Sequence, residues 1–210
     1  MVDEDKIFVK KCLAAGMIKS PCLELGGNYE TCKQFFKEPI DYLTSDIEPG
    51  KCDVVATFGN GDLSAFDGRM FKTVIALNIL EHTFEPVRVL DDIFSLILPG
   101  GSCVLTSPVI WPLHDYPNDF CRLNPHWYEE YARRRGLELA LFEFVGMANV
   151  QDSADNGQYV LPVASNRFKA IRSLVVHRLF DTTGRDYLFK SHIQLGSVLA
   201  KPTTWLQPSG

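Results

Sequence analysis

The stretch FKTVIALNIL, residues 71–80, is apolar almost throughout and shows no alternation of polar and apolar positions. A strand of this kind has to be covered on both faces, and strands buried that way belong to parallel sheets with helices packed above and below. CLEL (22–25), IDYLTSDI (40–47), CDVVATF (52–58), SCVLTSP (102–108) and LELALFEFV (137–145) read as further strands, and HIQLGSVLAKP (192–202) as a closing strand at the sheet edge. Helical patterns separate them. EPVRVLDDIFSLI (85–97) places Val87, Leu90, Ile93, Phe94 and Ile97 on one stripe, with Pro86 in the first turn and Pro99-Gly100-Gly101 as the stop. NPHWYEEYARRRG (124–136) has Asn124 as N-cap and Gly136 as terminator, and YETCKQFFKE (29–38) also reads as a helix. Glu4 to Met17 forms a loosely amphipathic leading helix, ended by Gly16 or by Pro21.

Strands and helices in alternation predict an α/β fold, Rossmann-like and doubly wound, around a mostly parallel sheet whose ligand sits outside the carboxyl ends of the strands. The 210 residues suit one domain, with residues 1–19 as a leading helical segment and residues 147–186 as an insert. Within that insert RFKAIRSLVVHRLF (167–180) looks helical.

The net charge of −5 argues against a surface that neutralises many phosphates, so nucleic acid is not the expected partner and a small molecule is. No apolar run approaches the roughly 20 residues of a membrane span, and the acidic start MVDEDK is unlike a signal peptide, which points to the cytoplasm. The six cysteines lack any CxxC pair and read as reduced thiols, three of them inside apolar strands.

What stands just past each strand is informative. The first ends in Glu24-Leu25-Gly26-Gly27-Asn28, the second in Asp46; the third leads to Gly59-Asn60-Gly61-Asp62 and the fourth to Asn78, with Glu81 and His82 close behind. Each feature alone is also an ordinary turn or cap. Together they line one sheet edge as a cofactor cleft. LELGGNYE has neither a Walker lysine nor a GxGxxG fingerprint, so a phosphate-bearing nucleotide is not favoured. A glycine turn, with a carboxylate about 20 residues later able to accept both hydroxyls of a ribose, suits a cofactor that carries positive charge and no phosphate.

CLELGGNYE, SDIEP, GNGDLSAF, the segment from FKTVIALNILEH to LPGGSCVLTSP, and PLHDYPNDFCRLNPHWYEEYARRRGLEL together resemble the class I S-adenosylmethionine-dependent methyltransferases. Within that family they look like the broad subgroup of small-molecule enzymes that carry LEH after strand four and an LxPGG turn. The resemblance covers about Leu23 to Leu139. It implies a seven-stranded sheet with an antiparallel closing strand, S-adenosylmethionine as cofactor and S-adenosylhomocysteine as product. It further implies that Glu24, Gly26 and Gly27 line the methionine end, that Asn28 also contacts the cofactor, that Asp46 holds the ribose, that Asp62 and Leu63 face the adenine and that Asn78 lies under the sulfonium. This sequence departs from the family in lacking the third glycine of the first loop, in Lys72 opening strand four, and in its glycine-rich adenine loop.

The acceptor side rests on residue types. His82 can take a proton from a substrate hydroxyl or simply cap the helix that follows; Glu81 can brace the cofactor loop or lead that helix. Trp111, His114, Tyr116, Asp119 and Arg122 stand on a proline-bearing loop past strand five, as substrate contacts or as a lid fixed by an Asp119–Arg122 pair. His82, His114 and Asp119 come from separate loops without a ligand-spacing signature, so no metal is expected. His126, His177 and His192 read as surface or core residues, and Arg133 to Arg135 as a solvated helix end. The expected function is methyl transfer to a small-molecule hydroxyl of a sugar, polyketide or phenolic acceptor, with a non-catalytic, cofactor-binding subunit as the alternative and a homo-oligomer left open.

Overall fold

The computed structural model describes residues 3–111, 113–114, 118–146 and 193–205. The expected insert at 147–186 with its helix, and Tyr116, His177 and His192, lie outside the described residues.

One seven-stranded sheet organises the rest. At its centre β1 (Cys22–Leu25) pairs in parallel with β2 (Tyr42–Asp46) on one side and with β4 (Phe71–Leu77) on the other, so Leu25 stands abreast of both Ser45 and Ala76. Beyond β2 lies β3 (Val54–Val55), also parallel; beyond β4 lies β5 (Ile97–Ile110), again parallel. β7 (Ile193–Ala200) then runs antiparallel between β5 and β6 (Glu138–Gly146), giving the order β3-β2-β1-β4-β5-β7-β6.

Successive residues of the central strands enter opposite cores, as the two-residue strand period requires. Val74 and Ala76 of β4 join Leu23, Leu25, Cys103 and Leu105 on one face, under α2 (Pro86–Ser95) and α3 (Pro125–Arg135). Ile75 joins Cys22 and Val104 on the other, under α1 (Asp3–Ala14). Both faces being dry explains why FKTVIALNIL does not alternate. Capping follows expectation on α3: Asn124 accepts from the Trp127 amide at 3.1 Å, and Gly136 takes the left-handed conformation at φ 62°. Lys201, buried just past β7, donates to the Phe94 and Ile97 carbonyls at 3.0 and 2.7 Å, closing the end of α2 against the sheet.

The elements depart from expectation in several places. The closing strand is interior, not at the edge: Leu195, Val198 and Leu199 of β7 are buried on both of its faces, whereas the edge strand β6 is half-buried along most of its length. The helix expected over 29–38 is a single 3-10 turn, Cys32–Phe35, because the Cys32 amide donates to the buried Glu24 carboxylate and Phe36 returns to extended backbone ahead of Pro39. β3 shrinks to two residues, as the loop after it is drawn to α2 by Asp92, which accepts from the Gly59 and Gly61 amides at 2.6 and 3.1 Å. β4 stops at Leu77 since Asn78 turns left-handed; the apolar Ile79-Leu80 that follows enters a 3-10 turn, Leu80–His82. α1 ends three residues early at Ala14, with the Met17 amide on the Cys12 carbonyl at 2.9 Å and Gly16 at φ 69°.

α1 docks through Phe8, which is fully buried; a Cβ placed on Gly196 of β7 would lie 2.5 Å from its ring. Gly196→Ala is therefore expected to lower stability by about 1–3 kcal/mol through overpacking, read as a drop in the urea midpoint; an unchanged midpoint would contradict this docking.

Candidate functional site

At the carboxyl ends of β1, β2 and β4 lies a cavity of about 570 Å³, within the range of small-molecule and cofactor sites. Its wall runs from Glu24, Leu25 and Gly26 through Ser45, Asp46 and Ile47 to Leu77, Asn78 and Ile79, with Thr57, Phe58 and Gly59 from the loop after β3 and His82 to Glu85 ahead of α2. Gly26 makes the opening turn at φ 81°, which a residue with a side chain rarely adopts. Five carboxylates line the cavity (Asp5, Glu24, Glu30, Asp46 and Glu85), and among the described residues no Lys or Arg lines it.

Two of these acids are structural as well. Glu24 accepts from the Cys32 amide at 2.9 Å and from the Tyr42 hydroxyl at 2.6 Å, while burial pushes its pKa up. Asp5 was not a sequence candidate. It is fully buried, accepting from Asn78 Nδ2 at 2.9 Å and Thr106 Oγ1 at 2.7 Å, while Asn78 Oδ1 accepts from Gln194 Nε2 at 3.1 Å. The signal was present: Asp5 shares the helical stripe of Phe8, Val9 and Cys12, an acid on a buried apolar face. This network fixes the side chain of Asn78 on the cavity floor.

Of the residues expected to hold a cofactor, Glu24, Gly26, Asp46 and Asn78 line the cavity together. Gly27, Asn28, Asp62 and Leu63 stand behind it. Gly27 packs on Thr44, where a Cβ would come within 2.5 Å. Asn28 ties the first loop to the next, its amide donating to Asp46 at 3.2 Å and its side-chain oxygen accepting from the Lys51 amide at 2.7 Å. Asp62 is exposed and caps the turn at Ser64, accepting from that amide at 3.0 Å, and Leu63 packs against the core. From the same loop, Thr57 and Phe58 line the cavity.

Ahead of α2, the turn Leu80–His82 faces the segment 118–122. The Phe120 amide donates to the Glu81 carbonyl at 2.8 Å, and His82 Nδ1 lies 2.6 Å from the Asn118 carbonyl, which sets Nδ1 as the protonated nitrogen. His114 Nδ1 lies 3.1 Å from Asp119 Oδ2, and that carboxylate is held by Arg122, whose Nη2 donates at 2.6 Å. Arg122 also donates to the Trp111 carbonyl at 3.4 Å, so it acts within the loop and Trp111 contributes backbone there. Arg122 holds the Asp119 pKa down, to about 2. The two imidazoles meet edge to face with ring centroids 4.9 Å apart, although only His82 lines the cavity itself. Close to both is Glu81, 1% exposed, neither of whose oxygens has a well-formed hydrogen bond; burial raises its pKa to about 8. Burial lowers the His82 pKa, keeping it neutral near pH 7.

Arg133 and Arg134 pair with Glu130, and Arg135 with Asp91, so the basic helix end is spent on local ion pairs. All six cysteines are free thiols, four of them buried. Among the described residues no helix is long and apolar enough to cross a membrane.

Neither a protein-family model nor a curated protein matches the sequence. Solved structures do. The chain is similar to an S-adenosylmethionine-dependent methyltransferase from Archaeoglobus fulgidus, at 15% identity over 95% of each chain with a TM-score of 0.56. It is also similar to a chain of the Haloferax volcanii complex between the Trm112 methyltransferase activator and a methyltransferase, at 17% identity over 95% of this chain and 90% of that one, TM-score 0.59. A third likeness is to the [4+2]-cyclase SpnF, at 13% identity over 94% and 80%, TM-score 0.52. The chain has the class I methyltransferase fold. As the cyclase illustrates, chemistry has to be argued from the site.

Asp5→Ala would leave Asn78 Nδ2 and the Thr106 hydroxyl buried without this acceptor. The expected loss is about 2–4 kcal/mol, from about 1–3 kcal/mol for each unsatisfied group, measured by chemical denaturation; a loss under about 0.5 kcal/mol would show that the network does not hold the cavity floor.

Proposed function

We propose that the cavity binds S-adenosylmethionine and that the protein is a methyltransferase for a small-molecule hydroxyl. The observation that carries the reading is the lining itself: among the described residues, five carboxylates and no Lys or Arg, at the strand ends of a class I methyltransferase fold. Such a wall repels a phosphate and suits a ligand that bears an ammonium and a sulfonium charge.

The residues fit that ligand. Asp46, accepting only long bonds from the Asn28 and Glu48 amides at 3.2 and 3.3 Å, is placed to take the ribose hydroxyls, with buried Ser45 Oγ lacking a partner beside it. Gly26 and Glu24 receive the methionine end, Phe58, Thr57 and Ile47 the adenine, and Asn78 the region of the sulfonium. Gly27, Asn28, Asp62 and Leu63 support these walls from behind. When bound, S-adenosylmethionine supplies an electrophilic methyl group: its bond to sulfur breaks as the acceptor oxygen forms the new one, leaving S-adenosylhomocysteine and a proton.

The chain's own part is to orient the acceptor and promote loss of its proton. His82 and His114 do this at the cavity mouth, each anchored through Nδ1. Phe84, 83% exposed, and Phe120 pair at 5.8 Å beside His82, an apolar lip that favours a phenolic or polyketide acceptor over a sugar. We place the reaction in the cytoplasm.

Calorimetry with S-adenosylhomocysteine is expected to give micromolar binding that Asp46→Ala weakens at least tenfold; binding indifferent to that change would contradict the ribose assignment. With methyl-labelled S-adenosylmethionine and a phenolic and polyketide library, His82→Ala and His114→Ala are each expected to lower turnover by about 10²- to 10⁴-fold while S-adenosylhomocysteine affinity stays within twofold. Unchanged turnover would remove the imidazoles from the reaction.

A further inference from the structure

We propose that Glu81, His82 and His114 form a binding site for a divalent transition-metal ion at the acceptor end of the cavity. One ligand atom from each of the three lies within 4.8 Å of those of the other two, and Glu81 Oε1 is already 3.9 Å from His82 Nε2. Ligand atoms about 2.0–2.2 Å from a tetrahedral ion stand a little over 3 Å apart, so small side-chain rotations close the set.

Three further observations point to a metal. Both imidazoles are held through Nδ1, His82 by the Asn118 carbonyl at 2.6 Å and His114 by Asp119 at 3.1 Å, and His82 turns Nε2 toward Glu81 Oε1 at 3.9 Å. A carbonyl or carboxylate behind each ring is how metal-bound histidines are oriented and made better donors. Asp119 is itself fixed by Arg122, so this outer support is rigid. The second observation is Glu81: its side chain is 2% exposed and both oxygens lack a well-formed hydrogen bond, a costly state for a carboxyl group that a cation between it and the two rings would relieve. The third is position. His82 lines the cavity, and three protein ligands leave coordination places open for a further oxygen.

Two imidazoles and one carboxylate suit Zn²⁺, Fe²⁺ or Mn²⁺ rather than Mg²⁺ or Ca²⁺, which take oxygen-rich sets. The acidic member is therefore Glu81 and not Asp119, whose carboxylate is committed behind His114 to Arg122. The acceptor class that fits an ion here is a hydroxyl or a pair of neighbouring oxygens, since a bound cation lowers the pKa of such a group. This use of the ion rests on the methyl-transfer function proposed above, whereas the metal site itself does not.

The test is calorimetric titration of Zn²⁺ into the chelator-treated full chain, with metal content measured after dialysis. One Zn²⁺ per chain is expected. Glu81→Gln and His114→Gln should each lower the affinity more than 100-fold, Asp119→Asn about 10- to 100-fold as a positioning residue, and His126→Gln, on α3, less than twofold. Circular dichroism checks that each variant folds. If one does not, Co²⁺ absorption of the wild type decides: visible bands of an imidazole-ligated ion at one equivalent support the site, and their absence overturns it. No Zn²⁺ uptake, or equal affinity in Glu81→Gln, also overturns it. S-Adenosylhomocysteine titrated into the same metal-free samples separates the two readings. Its binding without Zn²⁺ uptake sinks the metal site alone, and Zn²⁺ uptake without its binding sinks the methyl-donor site alone.

Discussion

β4 lies buried between β1 and β5 with cores on both of its faces, and the rest of the molecule follows from that placement. Phe71, Thr73, Val74, Ile75 and Ala76 have no exposure, so no polar chemistry can be built along the strand. It is displaced to the end, where Asn78 turns the chain left-handed at φ 53°. That conformation costs about 1 kcal/mol for a residue with a Cβ, and Asn is among the few that adopt it readily. The Asn78 amide donates to the Thr106 carbonyl at 3.0 Å, and its side chain is clamped between Asp5 and Gln194. One strained residue thus joins α1, β4, β5 and β7 and sets the floor of the cavity.

The site built on that floor has two electrostatic halves. Toward β1 and β2 the wall is acidic and ends in unsatisfied or weakly satisfied acceptors, Ser45 Oγ and Asp46. Toward α2 it carries an imidazole pair around a buried glutamate, held by a loop that Arg122 folds onto itself through Asp119 and the Trp111 carbonyl. The first half is suited to a cationic ligand with hydroxyls. The second can handle the oxygen of another molecule, and the apolar pair Phe84 and Phe120 stands next to it. On the proposed reading these are a donor half and an acceptor half that meet at His82, the arrangement group transfer requires.

Much of this was legible in the sequence. The unbroken apolar run at 71–80 and the Gly26, Asp46 and Asn78 strand ends marked the sheet and its carboxyl edge, because burial on both faces leaves a pattern that needs no partner to be read. The interior place of β7 was not legible: neighbours in a sheet are chosen by packing between distant segments, and Phe8 against Gly196 is visible only once α1 is docked. Asn28 and Asp62 carry the residue types of a binding loop, yet their side chains make turn and loop-to-loop bonds that sequence spacing does not distinguish from ligand contacts. Asp5 and Glu81 show the reverse. Asp5 carried a signal, an acid on an apolar helical stripe, and Glu81 read as a loop brace or a helix-leading acid, whereas the burial of both is decided by the segments packed around them.

The most direct test of the account is a crystal structure of the protein grown with S-adenosylhomocysteine. The account predicts density in the cavity with the ribose hydroxyls on Asp46, the adenine against Phe58 and the amino-acid end at Gly26 and Glu24. Density at any other place on the chain, or a cavity holding only solvent at saturating ligand, would contradict it.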